Sequence, residues 1–149
     1  RIAACGAQIY PHQKNNWAAR VLEKFQGLNP QLHAFSLQEL IFYWAPFDGE
    51  QAEYWAADIS PNFAANRAYS LIRIAQTAGV PRTRAHELWK RALAETSKVS
   101  DSGEALKIRS LIARGIFEIA PQEALRIIQQ VEDPFYRSEI LEYLAKEVA

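Results

Sequence analysis

Each of the seven prolines in this chain falls where a helix would begin or end. Proline costs about 3 kcal/mol inside a helix but is tolerated at the first helical position, where its missing N–H has no partner anyway. The prolines therefore read as punctuation between helices. Between them the sequence echoes itself: His33-Ala-Phe-Ser-Leu-Gln-Glu-Leu-Ile41, Arg67-Ala-Tyr-Ser-Leu-Ile-Arg-Ile-Ala75, Lys107-Ile-Arg-Ser-Leu-Ile-Ala-Arg-Gly115 and Arg137-Ser-Glu-Ile-Leu-Glu-Tyr-Leu-Ala145. The echoes start at residues 33, 67, 107 and 137, thus 34, 40 and 30 residues apart. A period of that size, built from helical patterns, marks a stacked array of helix pairs.

The prolines form two alternating series. Pro11, Pro46, Pro81 and Pro121 precede Trp17–Leu22, Gln51–Ala56, Ala85–Lys90 and Glu123–Ile128, here termed B helices. Pro30, Pro61 and Pro134 open A helices behind Asn29, Ser60 and Asp133, whose side chains can accept from the orphan N–H groups of a first turn. The third A helix lacks a proline and offers Asp101 with Glu104 three residues on, a capping-box arrangement. Leu71, Ile74, Ala75 and Ala78 follow helical spacing, as do Leu125, Ile128 and Val131. No segment alternates long enough to make a half-buried strand. These patterns predict an all-α chain, a superhelical stack of antiparallel helix pairs (an α-solenoid). About nine helices, counting a partial first one, form one domain over residues 1–149. Arg1-Ile-Ala-Ala before Pro11 resembles Arg73-Ile-Ala-Gln before Pro81, which places Arg1 inside an A helix. The expectation is a fragment of a longer chain, starting within a repeat. An unfinished repeat leaves an apolar face uncovered, through which copies can associate.

Formal net charge is zero, so nothing global favours nucleic acid or an anionic membrane. Hydrophobic residues at 49% and charged ones at 23% are enough for a packed core. The lone Cys5 cannot form an internal disulfide, which fits a cytoplasmic setting. The longest apolar run, Leu40 to Phe47, is far short of the roughly 20 residues of a membrane span. Eleven of the 17 aromatics precede Arg67, so the first part is the stickier one.

The segment Ala68 to Ala92, with Leu71, Gly79 before the second helix, Ala85, Leu88 and Ala92, resembles a tetratricopeptide repeat. Ile72 stands where that pattern has a small residue, and the period wanders, so HEAT-like pairs are the nearest rival. The resemblance covers nearly the whole chain. It implies a right-handed superhelix whose A helices line a concave groove for a peptide or protein partner. Carried over from the best copy, the groove positions are Tyr69, Arg73 and Gln76. Offsets then give Phe35, Glu39 and Phe42, next Arg109 and Ala113, and last Glu139, Tyr143 and Lys146. Aromatics and arginines are typical anchors of partner surfaces, although packing between helices would use the same aromatics. The aromatic turn Ile41–Asp48 reads mainly as core with one or two exposed rings.

Chemistry has little to work with. His12, His33 and His86 are scattered, and no second histidine follows His86 four residues on, so the zinc-protease helix is absent. Cys5 stands alone, which rules out a cysteine cluster for metal, and no cofactor is implied. The glycines are single, and none builds a phosphate loop; Gly115 lies within a helix and points to close helix approach. Arg73, Arg82, Arg84, Lys90 and Arg91 form a basic cluster diluted by Glu87 and Glu95, which ranks RNA last. The leading expectation is a non-enzymatic binding module. Behind it comes a helical scaffold for a larger enzyme or assembly with its chemistry elsewhere.

Overall fold

Helix signals dominate the sequence, and helices are what the chain forms. The computed structural model describes residues 14–148, and these hold eight α-helices and no strand. They are α1 (Lys14–Phe25), α2 (Pro30–Trp44), α3 (Gly49–Asp58), α4 (Ala64–Ala75), α5 (Arg82–Thr96), α6 (Ser102–Phe117), α7 (Pro121–Gln129) and α8 (Pro134–Val148). The partial helix expected at Arg1, and Pro11 itself, lie outside the described residues.

Local chemistry explains most of the starts. The Leu32 N–H donates to Asn29 Oδ1 at 2.9 Å, with Pro30 as the first helical residue of α2. The Glu104 N–H donates to Asp101 Oδ1 at 2.9 Å, and the Phe135 and Tyr136 N–H groups share Asp133 Oδ1. Asp48 does the same for α3, accepting from the Gln51 N–H at 3.1 Å. Two expectations change. Ser60 caps nothing, because Pro61–Phe63 wind as a 3₁₀ turn and delay the α-helix to Ala64. The capping box at Asp101 is only half made: the Glu104 carboxylate accepts from the Tyr69 hydroxyl on α4 instead of returning to its own helix start. Gly27, just after α1, and Gly79, in the turn between α4 and α5, take φ +85 and +88, where a side chain would be strained.

Consecutive helices fold back on each other as hairpins, α2 on α3, α4 on α5 and α6 on α7. The A helices also form a ladder: α2 touches α4, α4 touches α6 and α6 touches α8. Helices α3, α5 and α7 share no comparable backbone contact and meet through side chains. One continuous core threads the hairpins, built from residues such as Leu37, Ile41, Trp44, Trp55, Ile74, Leu88, Ile112 and Ile128. Burying each such side chain contributes roughly 1.5–3 kcal/mol. Trp44 and Trp55 meet at 5.6 Å between ring centroids, so the aromatic turn is core, as its sequence suggested. Phe42 and Phe47 are its exposed rings. Among the described residues, no helix is long and apolar enough to cross a membrane.

Candidate functional site

Five of the residues picked out by the repeat meet around one cleft. Glu39 and Phe42 on α2, Tyr69 and Arg73 on α4, and Gln76 just beyond α4 line a cavity of ≈ 300 Å³, with Leu111 of α6 opposite. The A-helix ladder places them there, since equivalent positions on neighbouring helices fall side by side.

The cleft is held open by specific contacts. Arg73 stacks its guanidinium on Phe42, 4.1 Å from the ring centroid, while its Nε–H donates to the Phe42 carbonyl at 3.2 Å. That carbonyl sits near the end of α2, where helix carbonyls lack intrahelical partners. Arg73 thus fastens α4 to α2. Below it, the Asn66 amide donates to Gln38 at 2.7 Å across the same two helices. The Tyr69 hydroxyl donates to Glu104 at 2.7 Å, fastening α4 to α6. Burial, then the Glu104 hydrogen bond and charge, push the Tyr69 hydroxyl up to about 12, so it remains a donor.

A second cavity of ≈ 480 Å³ shares Gln76 and Leu111 with the first, so the two adjoin; together they are called the trough. Its floor is Ala75, Val80, Ala85, Trp89, Gly115 and Ile119; its rim carries Arg82, Arg114, Glu118 and Tyr143. Small side chains at Ala75 and Ala85 leave room there, whereas the space spared by Gly115 is taken by the Trp89 indole. Arg114 stacks on Tyr143 at 4.3 Å from the ring centroid, and its Nη2 lies 3.8 Å from Glu139. Its Nε is buried with no hydrogen-bond partner. Tyr143, on α8, therefore lines this second cavity.

On α6, the two positions carried over from the repeat line neither cavity. Arg109 lines a separate cavity of ≈ 670 Å³ beside Ser100, Gln130 and Glu132, and Ala113 is fully buried. The cause is register. The Ser-Leu-Ile echo aligns α6 to α4 at an offset of 40, whereas burial aligns Leu71, Ile72 and Ala75 with Ile112, Ala113 and Ile116, at 41. One residue turns a helix by about 100°, enough to carry Arg109 out of the trough and Arg114 in. Leu111 and Arg114 are the residues the sequence reading missed. The signal was present in the burial-competent triplet Ile112, Ala113 and Ile116. Phe35 lines neither cavity and is 55% exposed on α2. Lys146 pairs with Glu142 on the surface of α8.

The basic cluster does not survive as one patch. Arg84 and Arg91 of α5 both hold Glu53 of α3, and Arg84 also reaches Glu87 at 2.7 Å. Arg73 is on the A-helix side. His86 Nε2 lies 2.6 Å from Glu123 Oε2, linking α5 to α7, and His33 packs edge-on against Phe25. His12 lies outside the described residues. Among those described, no three His, Cys, Asp or Glu side chains gather as a metal-holding group. No protein-family model, curated protein or solved structure matches this chain.

Proposed function

We propose that the chain is a non-enzymatic binding module, a tetratricopeptide-like array of helix hairpins whose A-helix trough receives a segment of a protein partner. The observation that carries this reading is the convergence of Glu39, Phe42, Tyr69, Arg73 and Gln76, taken from the tetratricopeptide resemblance and the repeat offsets, on one cavity. The trough also has the composition of a partner surface: exposed aromatic rings, arginines held in fixed orientation, and an apolar floor with a polar rim. Ring stacking reduces the rotamer freedom the arginines lose on binding, which favours recognition at low entropic cost.

The test is a nuclease-treated capture from source lysate, followed by titration of the purified partner. The baits are the native chain, a Phe42→Ala/Arg73→Glu double variant, and Arg84→Gln as a control on the other side. Loss of the partner in the double variant alone supports the trough. Equal retention by all three refutes it.

A further inference from the structure

The A-helix ladder fills the same two places differently along its length. At the offset of 34, Asn66 and Tyr69 of α4 are the counterparts of Leu32 and Phe35 of α2. On α4 both are spent on polar bonds across the ladder, Asn66 to Gln38 of α2 and Tyr69 to Glu104 of α6. On α2, which opens the ladder among the described residues, both are apolar and exposed. They belong to a longer row. Leu32, Phe35, Glu39 and Phe42 are spaced by three, four and three residues, which aligns them on one face of α2. Leu28 lies just ahead of the helix, and Glu39 is the single charge in the row. The four apolar side chains are between 37% and 55% exposed. With an aromatic side chain offering roughly 150–250 Å² when fully exposed, the row presents on the order of 300 Å² of apolar surface. Covering it twice over, in an interface about 60% apolar, comes to about 1,000 Å², where specific interfaces begin.

We propose that this row is a self-association face. Helix α2 of one copy packs antiparallel on α2 of a second, about a two-fold axis near Phe35, the midpoint of residues 28 to 42. The other end of the ladder is a poorer match. There the exposed side of α8 interleaves Phe135 and Leu141 with Ser138, Glu142 and Lys146. Setting it on α2 of another copy would bring charged groups against Leu32 and Phe35, whereas α2 on α2 sets apolar surface on apolar surface. The formal net charge of zero leaves no long-range repulsion to keep two copies apart. Phe42 also lines the cleft, so the pair covers that end of it. Leu32 and Phe35 line neither cavity, so substitutions there leave the trough residues in place.

Sedimentation velocity of the full chain over roughly 1–500 µM tests it, with a dimer dissociation constant on the order of 10–100 µM expected for so small an interface. Leu32→Glu and Phe35→Glu each raise that constant by about tenfold or more. Phe135→Glu, at the exposed ring of α8, leaves it unchanged. Circular dichroism confirms equal folding of all variants. In a Cys5→Ser background, Phe35→Cys oxidised with copper phenanthroline gives a covalent dimer, and Phe135→Cys treated alike does not. A chain that remains monomeric throughout the range overturns the proposal. So does assembly that grows past the dimer, or that Phe135→Glu abolishes while Leu32→Glu and Phe35→Glu do not. Dimerisation indifferent to all three substitutions overturns it too. Co-flotation with phosphatidylcholine vesicles that Leu32→Glu and Phe35→Glu abolish, without dimerisation, assigns the row to a lipid surface and overturns it as well.

Discussion

Gly115 of α6 lies against the indole of Trp89 on α5, so closely that a Cβ at 115 would come within 2.6 Å of Trp89 Cε2 and nearer still to two other ring atoms. Trp89 is 3% exposed, so it can yield only by giving up core packing. Gly115→Ala gains up to about 1 kcal/mol of helix propensity and loses more to overpacking, typically about 1–3 kcal/mol. The expected net effect is destabilisation, read by urea denaturation. Stability equal to or above the native chain would show that α5 and α6 are free to separate there.

Tyr69 gives the fold a signature at alkaline pH. An unfolded tyrosine ionises near about 10. In the folded chain, burial and Glu104 hold the proton to about 12. Between those values the folded state binds a proton that the unfolded state has released, so stability falls as pH rises. Below that window the contribution is fully present. Denaturation midpoints at about pH 9 and about pH 11 should differ more in the native chain than in Tyr69→Phe. An identical drop in both proteins would contradict the Tyr69–Glu104 bond.

Glu53 holds two arginines of α5, and its side chain is only 15% exposed. Glu53→Gln keeps the shape and removes the charge. Both arginines are over 40% exposed and can turn to water, which limits the loss to about 1 kcal/mol. The difference between native and variant should shrink at high salt. Chemical denaturation at two ionic strengths checks it.

Asn29 and Ser60 occupy the same place in the sequence pattern, each just ahead of a proline, and differ in what they do. The Asn29 side chain accepts from the Leu32 N–H; the Ser60 side chain makes no such cap bond. Asn29→Ala should cost about 1 kcal/mol, and Ser60→Ala close to none. Thermal melts of the two variants, measured side by side, decide it.

That contrast shows what the sequence could convey. Proline and cap residues mark helix starts because their chemistry is local, so seven of the helices begin within a few residues of the expected places. The 3₁₀ turn at Pro61–Phe63 escaped notice because the choice between two tight windings depends on how Phe63 packs against the core. The trough was legible where the repeat is faithful, at Glu39, Phe42, Tyr69, Arg73 and Gln76. It was misread on α6, where identical letters, Ser-Leu-Ile, sit one position away from identical surroundings. Leu71 is core and Leu111 lines the trough, yet they are the same residue in the same tripeptide. Only packing distinguishes them.

The A helices touch along a continuous backbone ladder, while α3, α5 and α7 are fastened to one another by Glu53 and by the His86–Glu123 pair. Each hairpin is also closed against the next, since α3 packs on α4 and α5 on α6, where Trp89 lies against Gly115. The array is thus laced three ways, along the ladder, across the hairpin boundaries and through the ion pairs, so no single polar contact is its hinge.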